Sequence, residues 1–103
     1  MSDLEKKHWP GIECPDTVEA GKPFDVTVNI GVGIDHPSEF AHFIEWIEIL
    51  RGDMSVSRIN LEPKYSYPRA TFRIALDRDT TLKVREGCNL HGVWENKKDI
   101  KVK

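Results

Sequence analysis

Phe24-Asp25-Val26-Thr27-Val28-Asn29-Ile30 decides the fold class. Its apolar residues, Phe24, Val26, Val28 and Ile30, alternate with Asp25, Thr27 and Asn29. A period of two sends the two sets to opposite faces of an extended strand, whereas a helix would scatter them around its axis. The β-branched residues at 26, 27, 28 and 30 fit a pleated, half-buried surface. The stretch therefore predicts a strand with one face on a core and the other in solvent.

Residues 43–50 read as a second strand. Ile44 and Trp46 alternate with Glu45, Ile47 and Ile49 alternate with Glu48, and the phase slips between the two sets, which predicts a bulge or twist. Three-residue spacing of Ile44 with Ile47 and of Glu45 with Glu48 also fits a helix, but the β-branched and aromatic content favours the strand. Further strands are predicted over 55–61, 70–76, 80–85 and 93–102, with a short one around Ile12, each bounded by Gly, Pro or Asp. About seven short strands and no convincing helix in 103 residues predict an all-β protein, an immunoglobulin-like antiparallel sandwich forming one domain over residues 1–103. Arg51-Gly52-Asp53 falls at a predicted hairpin turn and is read as turn chemistry.

Fifteen Lys and Arg against 17 Asp and Glu give a net charge of -2, with the lysines spread along the chain. That balance argues against a nucleic-acid partner, which requires basic residues concentrated on one face. No apolar run approaches the roughly 20 residues of a membrane helix, and Met1-Ser2-Asp3-Leu4-Glu5-Lys6-Lys7 does not read as a signal peptide, so no membrane partner and a cytoplasmic location are expected. Cys14, between Glu13 and Pro15, reads as a small packing residue.

Chemistry concentrates elsewhere. The four histidines, His8, His36, His42 and His91, fall in segments that read as loops or strand edges, and Cys88-Asn89-Leu90-His91 places a thiol three residues from an imidazole. Gly87 and Gly92 flank that cluster and permit a tight backbone. Each histidine alone reads as a polar surface residue; together with Cys88 they amount to a metal site. Structural zinc takes four ligands, so five candidates point to a metal with a larger coordination sphere, such as iron. A blue-copper site is disfavoured because no Met follows Cys88, and a Cys/His nucleophile pair leaves three histidines without a role. Trp9, Trp46 and Trp94 lie near these residues in sequence and read as packing or as shielding of the site.

Lys7-His8-Trp9-Pro10, Asp35-His36-Pro37 through His42, Glu45-Trp46-Ile47, and above all Cys88-Asn89-Leu90-His91-Gly92-Val93-Trp94-Glu95-Asn96 resemble the iron centre of the superoxide reductases, the neelaredoxin and desulfoferrodoxin family. The resemblance spans nearly the whole chain. It implies one mononuclear iron per chain with His8, His36, His42 and His91 in a plane and Cys88 axial, reducing superoxide by one electron to hydrogen peroxide. Two cysteines cannot build the additional Cys₄ iron site of the longer members, so the one-iron class is implied, with electrons from an external rubredoxin-like donor and assembly as a homotetramer. Backbone N–H groups of Asn89, Leu90 and His91 are expected to hydrogen-bond the sulfur and moderate its donation.

Family members usually carry Glu-Lys-His at the first ligand. Here Lys7 stands at the lysine and implies the catalytic role of attracting superoxide. Lys6 stands at the glutamate position, with Glu5 one residue too early. Glu5, or a water or hydroxide, is the expected sixth ligand of the oxidised iron. The alternative is an immunoglobulin-like binding module with a structural metal; an oxidised iron–thiolate centre is blue and a zinc centre colourless.

Overall fold

A computed structural model describes residues 1–103. One short helix, α1 (Asp3–His8), precedes eight strands: β1 (Pro10–Glu13), β2 (Thr17–Val18), β3 (Phe24–Ile30), β4 (Ile44–Arg51), β5 (Met54–Asn60), β6 (Arg69–Ile74), β7 (Thr80–Cys88) and β8 (Gly92–Val102). The strands form a three-stranded sheet ordered β1-β3-β6 and a five-stranded sheet ordered β2-β8-β7-β4-β5. Every pairing is antiparallel except β2 with β8. The expected all-β sandwich is borne out.

The strand that decided the fold class behaves as its alternation requires: Phe24, Val26, Val28 and Ile30 are buried, and Asp25, Thr27 and Asn29 are not. With Phe72 and Ile74 of β6 they meet Ile47 and Ile49 of β4, Leu82 and Val84 of β7 and Ile100 of β8 in one core cluster. The phase slip in β4 is a bulge. Ile44 pairs with Cys88 and Trp46 with Gly87, so Glu45 is the extra residue and both Ile44 and Ile47 reach the core. A second irregularity, in the pairing of β4 with β5, leaves Val56 of β5 as the extra residue opposite Ile49 and Leu50, both of which are buried.

Three features differ from expectation. The strands number eight because β2, only two residues long, carries no readable pattern. A helix is present: Ser2 caps α1, its side chain accepting from Glu5 N while the Glu5 side chain accepts from Ser2 N, a reciprocal capping box. His8 is the last residue of that helix rather than part of a loop or strand edge. Gly52 and Asp53 form the β4–β5 turn, with Gly52 at φ +56° as a two-residue hairpin with glycine first requires, and Asp53 accepts a hydrogen bond from Lys83 Nζ at 2.8 Å. No helix is long and apolar enough to cross a membrane.

Register fixes where function can lie. β1 begins where β3 ends, Pro10 pairing with Ile30, and β4 begins where β7 ends, Ile44 pairing with Cys88, itself paired with Gly92. The end of α1, the 31–43 connection and the β7–β8 turn therefore converge at one end of the sandwich.

Candidate metal centre

His8 arrives on α1, His36 and His42 on the 31–43 connection, Cys88 on the last position of β7 and His91 in the turn that follows. His8, His36 and Cys88 are buried, His42 is partly buried and His91 is exposed. One ligand atom from each of His8, His36, His42 and Cys88 lies within 4.8 Å of all the others. His91 joins from the open side. Its Nδ1 is 3.8 Å from Cys88 Sγ, and its ring centroid is 4.8 Å from that of His8 and 5.0 Å from that of His42.

The protonation pattern of the rings follows from their partners. His8 Nδ1 lies 2.7 Å from Leu4 O and His36 Nδ1 lies 2.8 Å from Pro37 O. A carbonyl oxygen only accepts, so each Nδ1 carries the hydrogen and each neutral ring keeps a bare lone pair on Nε2. Those two Nε2 atoms face each other at 3.2 Å, and Cys88 Sγ lies 3.5 Å from the His36 one. His42 Nε2 is buried without any partner. Burial is the main cause pushing all three rings below the ordinary histidine range, His36 to about 4, so near neutral pH they are uncharged. Lone pairs converging from neutral imidazoles make no hydrogen bonds to one another, the Cys88 thiol can donate weakly to only one of them, and a soft-to-borderline transition-metal ion is the partner that satisfies all of them together.

The surroundings hold the rings in place. The Trp94 ring stacks on His8 with centroids 5.0 Å apart and planes inclined by 20°, so Trp94 lines the site. Trp46 does not: its ring lies against Gly87 and under Arg58, whose guanidinium carbon is 4.3 Å from the ring centroid. Ser38, buried next to the His36 loop, donates to Ser66 O and accepts from Lys64 N, both at 2.9 Å, tying that loop to residues 64–66. Lys7 is partly buried and makes no ion pair; with Asp35, His36, Glu39, Tyr67 and Arg69 it borders a cleft of about 650 Å³, and its charge is a lesser cause of the lowered pKa of His8, His36 and His42.

Other expectations are corrected here. The sulfur's polar side-chain neighbours are the two imidazole nitrogens, and the Asn89 N–H, one of the expected sulfur donors, instead donates to Phe43 O at 3.2 Å. Gly92, with φ +76°, has the left-handed backbone that closes the turn, but Gly87 is small for a different reason, the Trp46 indole above it. The exposed Glu5 carboxylate accepts from Ser2 N in the capping box of α1. Glu86, two residues before Cys88 on the same face, went unnoticed in the sequence. It is 0% exposed, neither carboxylate oxygen has a partner, and burial raises its pKa to about 8. Cys14 and Cys88 are both free thiols.

Comparison with known proteins points the same way. The Desulfoferrodoxin family model matches residues 1–97. The neelaredoxin of Megalodesulfovibrio gigas is 32% identical over 116 residues, an alignment covering 95% of this chain and 89% of that protein. The superoxide reductase of Pyrococcus horikoshii is 32% identical over 100 residues, covering 88% of this chain and 84% of that one. Among solved structures, the superoxide reductase (neelaredoxin) of Ignicoccus hospitalis superposes with a TM-score of 0.85 at 40% identity, covering 93% of this chain and 81% of that chain.

Proposed function

Because this chain belongs to the desulfoferrodoxin family, we propose that it is a superoxide reductase, an oxidoreductase that adds one electron and two protons to superoxide and releases hydrogen peroxide. The observation that carries this reading is the convergence of the Nε2 lone pairs of His8 and His36, and of the buried, unpartnered Nε2 of His42, beside Cys88. His8, His36, His42, His91 and Cys88 would hold a single iron ion. When bound, that iron supplies the electron.

The chain's own groups do the rest. Leu4 O and Pro37 O keep the Nδ1 hydrogens of His8 and His36 in place and so present Nε2 to the ion. Cys88 is 4% exposed, so water has little access to its sulfur, which would be a thiolate once it holds the ion. Lys7 holds a positive charge beside the rings and draws the substrate anion toward them. Electrons come from an external rubredoxin-like donor, and the assembly is a homotetramer working in the cytoplasm; these parts of the reading rest on the family resemblance.

Anaerobic iron analysis with absorption spectra before and after oxidation, on wild type and Cys88→Ser, tests the proposal. One iron per chain and a blue oxidised form that Cys88→Ser lacks are expected, together with peroxide formation from superoxide without dioxygen release. A wild type that takes up no iron overturns it.

A further inference from the structure

Resting on that metal-centre reading, we propose that Asn89 and Trp94, neither of them a ligand, are positioning residues that hold the histidine-bearing segments against the Cys88 hairpin. Asn89 follows Cys88 and makes three hydrogen bonds to the segment around His42. Its Nδ2 donates to Ala41 O at 3.0 Å, its Oδ1 accepts from Phe43 N at 2.9 Å, and its backbone N donates to Phe43 O at 3.2 Å. The side chain thus grips the residue on either side of His42. On its other flank His42 is closed by reciprocal backbone bonds with Glu39, both at 3.0 Å. Only a carboxamide offers a donor and an acceptor at that reach, one for the carbonyl at 41 and one for the N–H at 43.

Trp94 performs the corresponding task for the other two segments. Its Nε1 donates to His91 O at 3.1 Å while its ring face stacks on His8, so one indole touches histidines from opposite ends of the chain. Asn96, two residues along β8, donates from Nδ2 to Pro10 O at 2.8 Å and fastens the backbone just after His8 to the same strand. Side chains from one short block, 89–96, therefore fix His8, His42 and His91 relative to Cys88. Groups that orient metal ligands set affinity even though they never touch the ion.

Anaerobic titration with iron(II) of wild type, Asn89→Ala and Trp94→Phe, alongside thermal unfolding of the metal-free proteins, tests this. Asn89→Ala is expected to bind iron(II) about 10- to 100-fold more weakly. Trp94→Phe, which keeps an aromatic face for His8 and loses the donor to His91 O, is expected to weaken binding less, and both should shift the absorption of the oxidised centre. Metal-free unfolding midpoints should change little. Undiminished affinity with an unshifted absorption in both variants, or weaker binding that only tracks a lost metal-free fold, overturns the inference. If Asn89→Ala does not fold, Trp94→Phe decides alone: weakened binding supports the inference and unchanged binding overturns it. A wild type that binds no iron instead overturns the metal-centre reading itself, a separate outcome.

Discussion

Gly87 and Trp46 are cross-strand partners packed so closely that a Cβ on Gly87 would fall inside contact distance of the indole atoms Nε1, Cε2 and Cζ2. The residue before Cys88 is thus small because a tryptophan from the neighbouring strand covers it. Gly87→Ala has to push the indole aside or bend the end of β7 just before the thiol. Overpacking of this kind typically costs about 1–3 kcal/mol. We expect Gly87→Ala to lower the unfolding midpoint and to weaken iron retention, and Trp46→Leu in the same chain to recover much of both. Denaturant unfolding of the four members of this double-mutant cycle checks it; additive losses would show that the two residues do not interact.

Ser2 and Glu5 cap α1, which ends on His8. Removing a capping side chain typically costs about 1 kcal/mol. Ser2→Ala and Glu5→Ala should each destabilise the protein modestly, seen as a lower midpoint in thermal unfolding. Because the Glu5 carboxylate faces Ser2 N, Glu5→Ala should leave the absorption spectrum of the oxidised iron unchanged. A changed spectrum would mean that Glu5 leaves its cap to reach the metal.

Much of this was legible in the residues, and what was not has physical reasons. β3 could be read because one face is buried and the other is not, so alternation is forced. The bulge in β4 could be read because burying Ile44 and Ile47 on one face breaks a period of two. α1 could not be read from periodicity, since His8 is its only buried residue; the Ser2 to Glu5 spacing was its one local signal. The ligand types around Cys88 stand out by chemistry alone. Which ring nitrogen faces inward does not, because it is decided by Leu4 O and Pro37 O. The reason for a glycine at 87 and the reach of Asn96 to Pro10 O depend on strand register, which local sequence does not encode.

Lys7 is partly buried, without an acidic partner, and its charge is felt by His8, His36 and His42. An unpaired cation at the mouth of a site raises the capture rate of an anion, and salt screens the effect. Lys7→Ala should slow the second-order reaction with superoxide about tenfold at low ionic strength and flatten its salt dependence. Pulse radiolysis at several salt concentrations measures both. Identical rate constants at low salt would remove Lys7 from substrate capture.

Glu86 gives the metal-free protein a pH dependence whose sign can be worked out. Its carboxyl points from β7 into the core between Val84 and Cys88, opposite Ile47 of β4 and Trp94 of β8, with no hydrogen-bond partner on either oxygen. Burial raises its folded-state pKa from 4.5 to about 8, so the folded chain holds this proton more tightly than the unfolded chain does. The associated stability is fully present below pH 4.5 and is lost as pH rises through about 8. Near neutrality part of that loss has already occurred, on the order of a few kcal/mol by linkage. Glu86→Gln keeps the shape and cannot ionise. Metal-free Glu86→Gln should therefore be more stable than wild type at pH 8, with the gap shrinking steadily toward pH 4.5. Chemical denaturation at pH 5, 6, 7 and 8 (values chosen to span about that window) measures the difference between the two proteins. A constant difference across the series would mean that the Glu86 carboxyl ionises alike in the folded and unfolded chains.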